Sequence, residues 1–438
     1  MKWLLLGALG LLLQACGGSS EPDAPVAAND ACSVAQQRAS LRTYMQDHYY
    51  WYPQLRAADE SATSMDAYFR SMLFTPTDRF SFSESTAAHN ALFTEGRRVG
   101  YGYALAWADA SRTALRVRNV EPASPVARAG LVRGDTILTI DGFSPADIAA
   151  GALATVTTPG VHRIFNFIDS AGQHRTLDVA SEDFALTPVA ATSTFDIVRD
   201  GVPVKVGYID YTQFVSYSVP ALNSAFAGFG ADGISELILD LRYNGGGSVA
   251  TSRDLASMIG GARTAGQLYA YLRFNDKQAN ATQQVRFKAA ADDSAQPPPQ
   301  GLPRVVVIGS EATASASELL VNGLRPFVDV VLVGATTYGK PYGFVPHDNC
   351  GITYNAVEFE SLNALGVGGF TAGFAPTCPA ADDFDHQLGD ANENRTRVAL
   401  NYLATGSCAA PQARSGAAKL PAAPGAFGET SHPGMFPQ

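Results

Sequence analysis

The sequence predicts a multi-domain α+β protein with an α/β unit in its C-terminal half, and three stretches carry that prediction. Residues 305–308 (VVVI) are a short apolar run of β-branched residues bounded by Gly309, as expected of a strand buried on both faces. After a small-residue turn, Leu319, Leu320, Leu324 and Phe327 recur at helical spacing, and residues 328–333 give a second buried strand closed by Gly334. Strand, helix and strand in that order make a βαβ unit, so the two strands are expected to be parallel, with function at their carboxyl ends. Residues 97–183 have a different rhythm of short runs broken by glycine turns, and residues 33–92 are mostly helical in pattern.

Taken in order, the chain of 438 residues begins with Lys2 and an apolar core at 4–13, too short to span a bilayer as a mature helix. Leu13-Gln14-Ala15-Cys16 then resembles a bacterial lipobox, in which Cys16 becomes the lipidated first residue of the mature chain. Residues 1–16 are thus expected to be a lipoprotein signal peptide and 17–30 a polar linker from the membrane. A plain secretory signal would also place the protein outside the cytoplasm. By resemblance to lipoprotein sorting signals, Gly17 rather than aspartate after the cysteine implies the outer membrane, facing the periplasm. A net charge of −10 without a basic run argues against nucleic acid as a partner, because backbone binding needs clustered Lys and Arg.

A helical domain is expected at 31–94. Leu41, Tyr44, Met45, His48 and Tyr49 share one face, residues 65–72 form a second helix, and Tyr49, Tyr50, Trp51 and Tyr52 read as core. In the next domain, 95–185, Ser124-Pro125 starts a short helix that Gly130 ends, Gly134-Asp135 turns into a strand at 136–140, and Asp141-Gly142 is a strong turn signal. The α/β domain, 190–408, has expected strands at 206–211 and 237–241, helices at 220–229 and 252–259, the βαβ unit, alternating β pattern to Cys378 and a last helix at 394–403. Residues 409–438 are rich in Pro, Ala and Gly and are expected to be disordered.

Beyond Cys16 the cysteines are Cys32, Cys350, Cys378 and Cys408. In an oxidising compartment they are expected to form two disulfides, with three possible connectivities. The preferred pairs are Cys350–Cys378, which flank one segment, and Cys32–Cys408, which would tie the two ends together. Their scatter does not suit a zinc site, and neither metal nor other cofactor is expected.

Three pieces converge on one chemistry: the glycine turn after residues 239–244 (LDLRYN), the cluster TASASE at 313–318, and TTYGK at 336–340. A serine hydroxyl is a weak nucleophile and needs a base. His347 is the only histidine near these loops and reads as structural. A lysine can serve if burial holds its amine neutral, and Lys340 follows an apolar strand and Gly339. Backbone N–H groups in a glycine turn suit an oxyanion, and loss of one such donor costs about 10²–10³ in rate. On chemistry alone Ser310, Ser315 and Ser317 are all open as nucleophile.

LDLRYNGGG, TASASE and TTYGK, in that order, resemble the signature blocks of the C-terminal processing peptidases (tail-specific proteases), serine peptidases with a Ser–Lys dyad. Residues 124–142 (SPVARAGLVRGDTILTIDG) resemble part of a PDZ domain. The resemblance spans nearly all of the mature chain. It implies a crotonase/ClpP-like α/β peptidase domain at 190–408 and a PDZ-like domain at 95–185. Carried onto this sequence, it makes Ser315 the nucleophile and Lys340, twenty-five positions later, the general base. The oxyanion hole would be the Ala316 N–H with that of Gly246 or Gly247. PDZ domains capture polypeptide tails by strand addition beside a loop of backbone N–H groups, and Val99, Gly100, Tyr101 and Gly102 align with that loop.

Ser317 then becomes a helix-start hydroxyl, Glu318 a carboxylate complementing the helix dipole, and Asp240 with Arg242 a structural pair. The implied function is a serine-type endopeptidase that cleaves polypeptides in the cell envelope through an acyl-enzyme, anchored to the membrane by lipid. The alternative is a non-catalytic ligand- or peptide-binding protein on the same fold. Two departures bear on the lysine. Phe344 stands where the family often has a glutamine that orients the amine, and Pro341 stands where glycine or serine is usual.

Overall fold

The computed structural model describes residues 32–108, 111–288 and 301–408, together with backbone strands at Phe427–Gly428 and Gly434–Phe436. The signal peptide with Cys16 and the 17–30 linker lie outside the described residues. So does most of the 409–438 tail, in which the expectation of disorder gives way at the two short strands.

The α/β unit is built on a six-stranded sheet in the order Cys378–Pro379, Asp329–Gly334, Arg304–Gly309, Glu236–Asp240, Val202–Tyr211, Val189–Arg199. All neighbouring pairs are parallel except the last, a hairpin turning at Asp200 and Gly201. The expected parallel βαβ unit is there, with Val306 opposite Val331 and Ile308 opposite Val333. Its continuous apolar run follows from covered faces on both sides. Val305 and Val307 pack with Leu319, Leu320 and Leu324 of the Ala316–Leu324 helix and with helices Val219–Asp232 and Val249–Gly260. Val306 and Ile308 point the other way, onto Val398, Ala399 and Leu403 of the Asn394–Thr405 helix. Each such side chain, fully buried, contributes about 1.5–3 kcal/mol.

The N-terminal helices Val34–His48 and Met65–Met72 do not form a core of their own. Leu41, Tyr44, Met45, Tyr49, Tyr68 and Phe69 pack with Phe344, Tyr354, Ala356 and Val357 from the far end of the chain. Strand Phe82–Ser85 pairs antiparallel with Ile352–Asn355. This docking corrects the expected disulfide pairing. The bonds are Cys32–Cys350 and Cys378–Cys408, because the Phe82–Ser85 pairing carries the N-terminal helices to the hairpin that holds Cys350. Cys378 sits at the edge of the central sheet, beside the helix that Cys408 follows.

The second unit is an antiparallel sheet of Tyr103–Trp107, Leu115–Val120, Thr136–Ile140, His162–Ile168 and His174–Ala180. Ser124 caps the Pro125–Ala129 helix by accepting from the Ala127 N–H at 3.3 Å, and Gly130 ends it at φ +95°, as the sequence predicts. Tyr101, Leu105, Val117, Val126, Ile137 and Phe165 fill its core.

Candidate active site

The Arg304–Gly309 strand ends in a tight turn whose last residue, Ser315, opens the Ala316–Leu324 helix. Ser315 has φ +61° and ψ −114°. A residue with a Cβ adopts that backbone only under strain of about 1–3 kcal/mol, which the surrounding contacts must hold. Its hydroxyl is buried and has no hydrogen-bond partner among the described residues. The rival serines are occupied: Ser317 Oγ donates to the Asn244 carbonyl at 3.0 Å, and Ser310 Oγ donates to the Arg242 carbonyl.

Lys340 is 1% exposed, and burial holds its amine well below the usual lysine range, against the pull of the Asp78 and Glu318 charges. Its Nζ lies 3.8 Å from the centre of the Phe344 ring, itself buried edge-on against Phe82. Phe344, the departure noted in the sequence, therefore offers the amine an aromatic face. A cavity of about 140 Å³ adjoins the lysine, lined by Arg70, Arg79, Phe80, Ser81, Phe82 and Tyr338.

One carboxylate joins the serine turn to the lysine loop. Glu318 Oε2 accepts from the N–H of Ser315 at 3.0 Å and of Lys340 at 2.7 Å, and Oε1 accepts from the Gly339 N–H at 2.7 Å and the Thr337 hydroxyl at 2.5 Å. Burial raises its pKa, and these four donors oppose the rise. The Tyr338 N–H also donates to the Thr313 carbonyl at 3.0 Å, closing one loop on the other. On its outer side the lysine loop is held by Arg79 Nη2, which donates to the carbonyls of Tyr338, Gly339 and Thr371 at 3.0–3.2 Å. Gly339, at φ +84°, must be glycine, since a Cβ there would lie 2.3 Å from the Thr371 oxygen.

The glycine turn closes the third side. The Asn244 carbonyl accepts from Ala314 N–H at 3.1 Å as well as from Ser317, so the turn is bonded directly to the serine turn. The Gly246 N–H donates to Asn244 Oδ1 at 2.9 Å, which takes it away from an oxyanion. At Gly247 a Cβ would sit 2.0 Å from the Phe214 oxygen, so the turn requires glycine there. Ala316, as the first helical residue, has no carbonyl four residues back to receive its N–H. Serine, lysine, Ala316 and the glycine turn are thus brought together.

Beneath the turn, Arg242 and Asp240 are the expected structural pair, extended by Glu393. Arg242 donates to Asp240 at 2.8–3.0 Å and to both Glu393 oxygens at 2.8 and 2.9 Å, all fully buried. Arg133 of the second unit reaches this cluster, donating to Asp382 at 2.7 Å and to the Tyr243 hydroxyl at 2.8 Å. Val99 to Gly102 lie in that second unit. Val99 and Gly100 pair with Asp183 and Glu182, while Tyr101 is core, its hydroxyl donating to the Val161 carbonyl at 2.9 Å. His347 stacks on Tyr44 at 4.1 Å, a structural role. Among the described residues there is no helix long and apolar enough to cross a membrane and no acid, His or Cys cluster able to hold a metal.

Sequence reasoning missed Glu318, Arg79 and Asn244 as positioning residues. The Ser315-x-x-Glu318 spacing was the available signal for the first, whereas no local pattern marks Arg79.

Residues 205–346 match the model of peptidase family S41, and residues 36–82 match the S41 N-terminal domain. The chain is 25% identical over 297 residues to the chloroplastic C-terminal processing peptidase of Tetradesmus obliquus, covering 63% of this chain and 60% of that protein. It is 29% identical over 255 residues to the carboxyl-terminal-processing protease of Synechocystis, covering 56% and 55%. The matched region is therefore less than two thirds of the length of these curated relatives. A solved structure from Bacteroides fragilis, assigned to the S41 proteases, aligns with a TM-score of 0.65 at 25% identity over 83% of this chain and 96% of that one. Together these likenesses support peptidase family S41, with the mixed α/β fold of its solved members.

Proposed function

We propose that this chain is a serine endopeptidase of the cell envelope that cleaves polypeptides near their tails. Ser315 Oγ attacks the scissile carbonyl, and the neutral Lys340 amine takes its proton. The N–H groups of Ala316 and Gly247 stabilise the oxyanion. The ammonium then gives the proton to the leaving amine, and water activated by the same amine hydrolyses the acyl-enzyme. The observation that carries this reading is the Glu318 carboxylate, which holds the backbones of a strained, buried serine and a buried, readily deprotonated lysine within one hydrogen-bonded frame.

The second unit is read as a PDZ-like domain that delivers tails by strand addition, its loop at 99–102 supplying N–H groups for a carboxylate. What supports this is the 124–142 pattern on a helix and strand of an antiparallel sheet. Membrane anchoring through Cys16, on the periplasmic face of the outer membrane, rests on the lipobox alone.

A fluorophosphonate probe tests the chemistry. Ser315 should label in the parent, labelling should vanish in Ser315→Ala and Lys340→Ala, and the parent rate should rise with pH as the amine loses its proton. Labelling that persists in Ser315→Ala, or a flat profile from neutral to alkaline pH, refutes the dyad.

A further inference from the structure

Two strands of the C-terminal segment lie where a polypeptide substrate would have to lie. Gly434–Phe436 runs parallel to Gly246–Ser248, with Gly434 opposite Gly246, Met435 opposite Gly247 and Phe436 opposite Ser248. The same strand comes within 8 Å (Cα–Cα) of the Ala316–Leu324 helix and of strand Tyr342–Gly343, which follows Lys340. The strand therefore occupies the cleft between the glycine turn, the serine turn and the lysine loop. Upstream, Phe427–Gly428 adds antiparallel to the edge strand Tyr103–Trp107 of the second unit, with Phe427 opposite Leu105 and Gly428 opposite Ala104. One stretch of chain thus caps the open edge of the second unit and then reaches the candidate site.

We infer that the C-terminal segment is a built-in occupant of the substrate track, competing in cis with polypeptides that add as strands at Tyr103–Trp107 and at Gly246–Ser248. The inference rests on reading Ser315 as a peptidase nucleophile. A strand pairs through backbone N–H and C=O groups, so edge addition accepts many sequences, and an exposed edge invites an occupant. Ser315 has no exposed surface in the chain that carries this segment, although an incoming carbonyl has to reach it. Covalent attachment gives the segment an effective concentration in the millimolar range. An intrinsic affinity of about 0.1 mM then suffices to leave roughly one molecule in ten open.

The test uses the folded full-length chain with a specific protease site inserted between residues 408 and 427, so that the segment is released after folding. Release and removal of the fragment should lower KM for an unstructured polypeptide about tenfold with kcat unchanged. A synthetic peptide of residues 427–438 (FGETSHPGMFPQ) should raise KM again as a competitive inhibitor. The same peptide, fluorescein-labelled, should bind Ser315→Ala protein lacking the segment and fail to bind Ser315→Ala protein that retains it. Equal KM before and after release, or equal peptide binding by the two Ser315→Ala proteins, overturns the inference while probe labelling leaves the peptidase reading standing. If neither form labels or cleaves, that reading fails, and peptide binding alone decides whether the segment occupies the cleft.

Discussion

Replacing Lys340 with methionine should stabilise the protein at neutral pH, by an amount that shrinks as the pH rises. The amine is 1% exposed and titrates well below an ordinary lysine, chiefly through burial. In the unfolded chain it titrates near ~10.4. Between the folded and unfolded pKa values the unfolded chain binds one more proton, so unfolding is favoured by acid and the parent's stability climbs with pH. The slope is about 1.4 kcal/mol per pH unit. Lys340→Met carries no such proton, so its stability advantage should fall by about 2.7 kcal/mol over two pH units within that window, and level off below the folded pKa. Differences in packing, about 1.5 kcal/mol or less for a near-isosteric apolar side chain, do not vary with pH. Urea unfolding followed by far-UV circular dichroism, with both proteins on the Ser315→Ala background, measures the gap. A gap that stays constant from about pH 7.5 to about pH 9.5 would mean that the folded amine keeps its proton, and the general-base assignment would fall with it.

Glu318→Gln keeps the shape of the clamp but turns one of its acceptor oxygens into a donor facing N–H groups. With bonds to a charged group at about 1.5–3 kcal/mol each, it should cost about 2–4 kcal/mol of stability. It should also slow probe labelling of Ser315 and, by removing a charge that favours the Lys340 ammonium, move the pH at which labelling rises downward; wild-type labelling in this variant would remove Glu318 from the frame. Phe344→Leu removes the ring face that favours the ammonium form, so the acid limb of the labelling profile should move to lower pH; an upward move refutes that account. Removing the Cys378–Cys408 bond by a double Cys→Ala change opens a loop of sequence separation 30, and chain entropy puts the loss at about 3.6 kcal/mol. An unchanged urea midpoint would show that the Asn394–Thr405 helix stays docked without it.

What was legible in the sequence is what depends on neighbours in the chain. The run at 305–308 alternates between two covered faces, and local pattern suffices to see that. The Ser124 cap and the Gly130 stop are likewise set by three or four adjacent residues. The disulfides were misread because their pairing follows the docking of Phe82–Ser85 on Ile352–Asn355, a contact across most of the chain that no periodicity encodes. Glu318 was visible as a carboxylate at a helix start, but three of its four donors arrive from the loop after a different strand. The tail was read as disordered from composition. Strand addition, however, asks only for backbone groups, which Gly- and Pro-rich segments still carry.

Lys340 is fixed without a glutamine at position 344. A side-chain amide beside the amine would orient it by accepting a hydrogen bond, and would also favour the charged form. This chain instead fixes the residue from its backbone: Glu318 holds the Lys340 N–H, and Arg79 holds the carbonyls of Tyr338 and Gly339 just before it. Phe344 then presents its ring face at 3.8 Å from Nζ. A ring face attracts an ammonium by about 0.5–2 kcal/mol, less than the full loss of hydration that burial imposes on a charged amine. Desolvation therefore remains the larger effect, and it favours the neutral amine that the proposed base role requires. The Phe344 ring ties the surroundings of Lys340 to the packing of the N-terminal helices against Phe82 and Phe344.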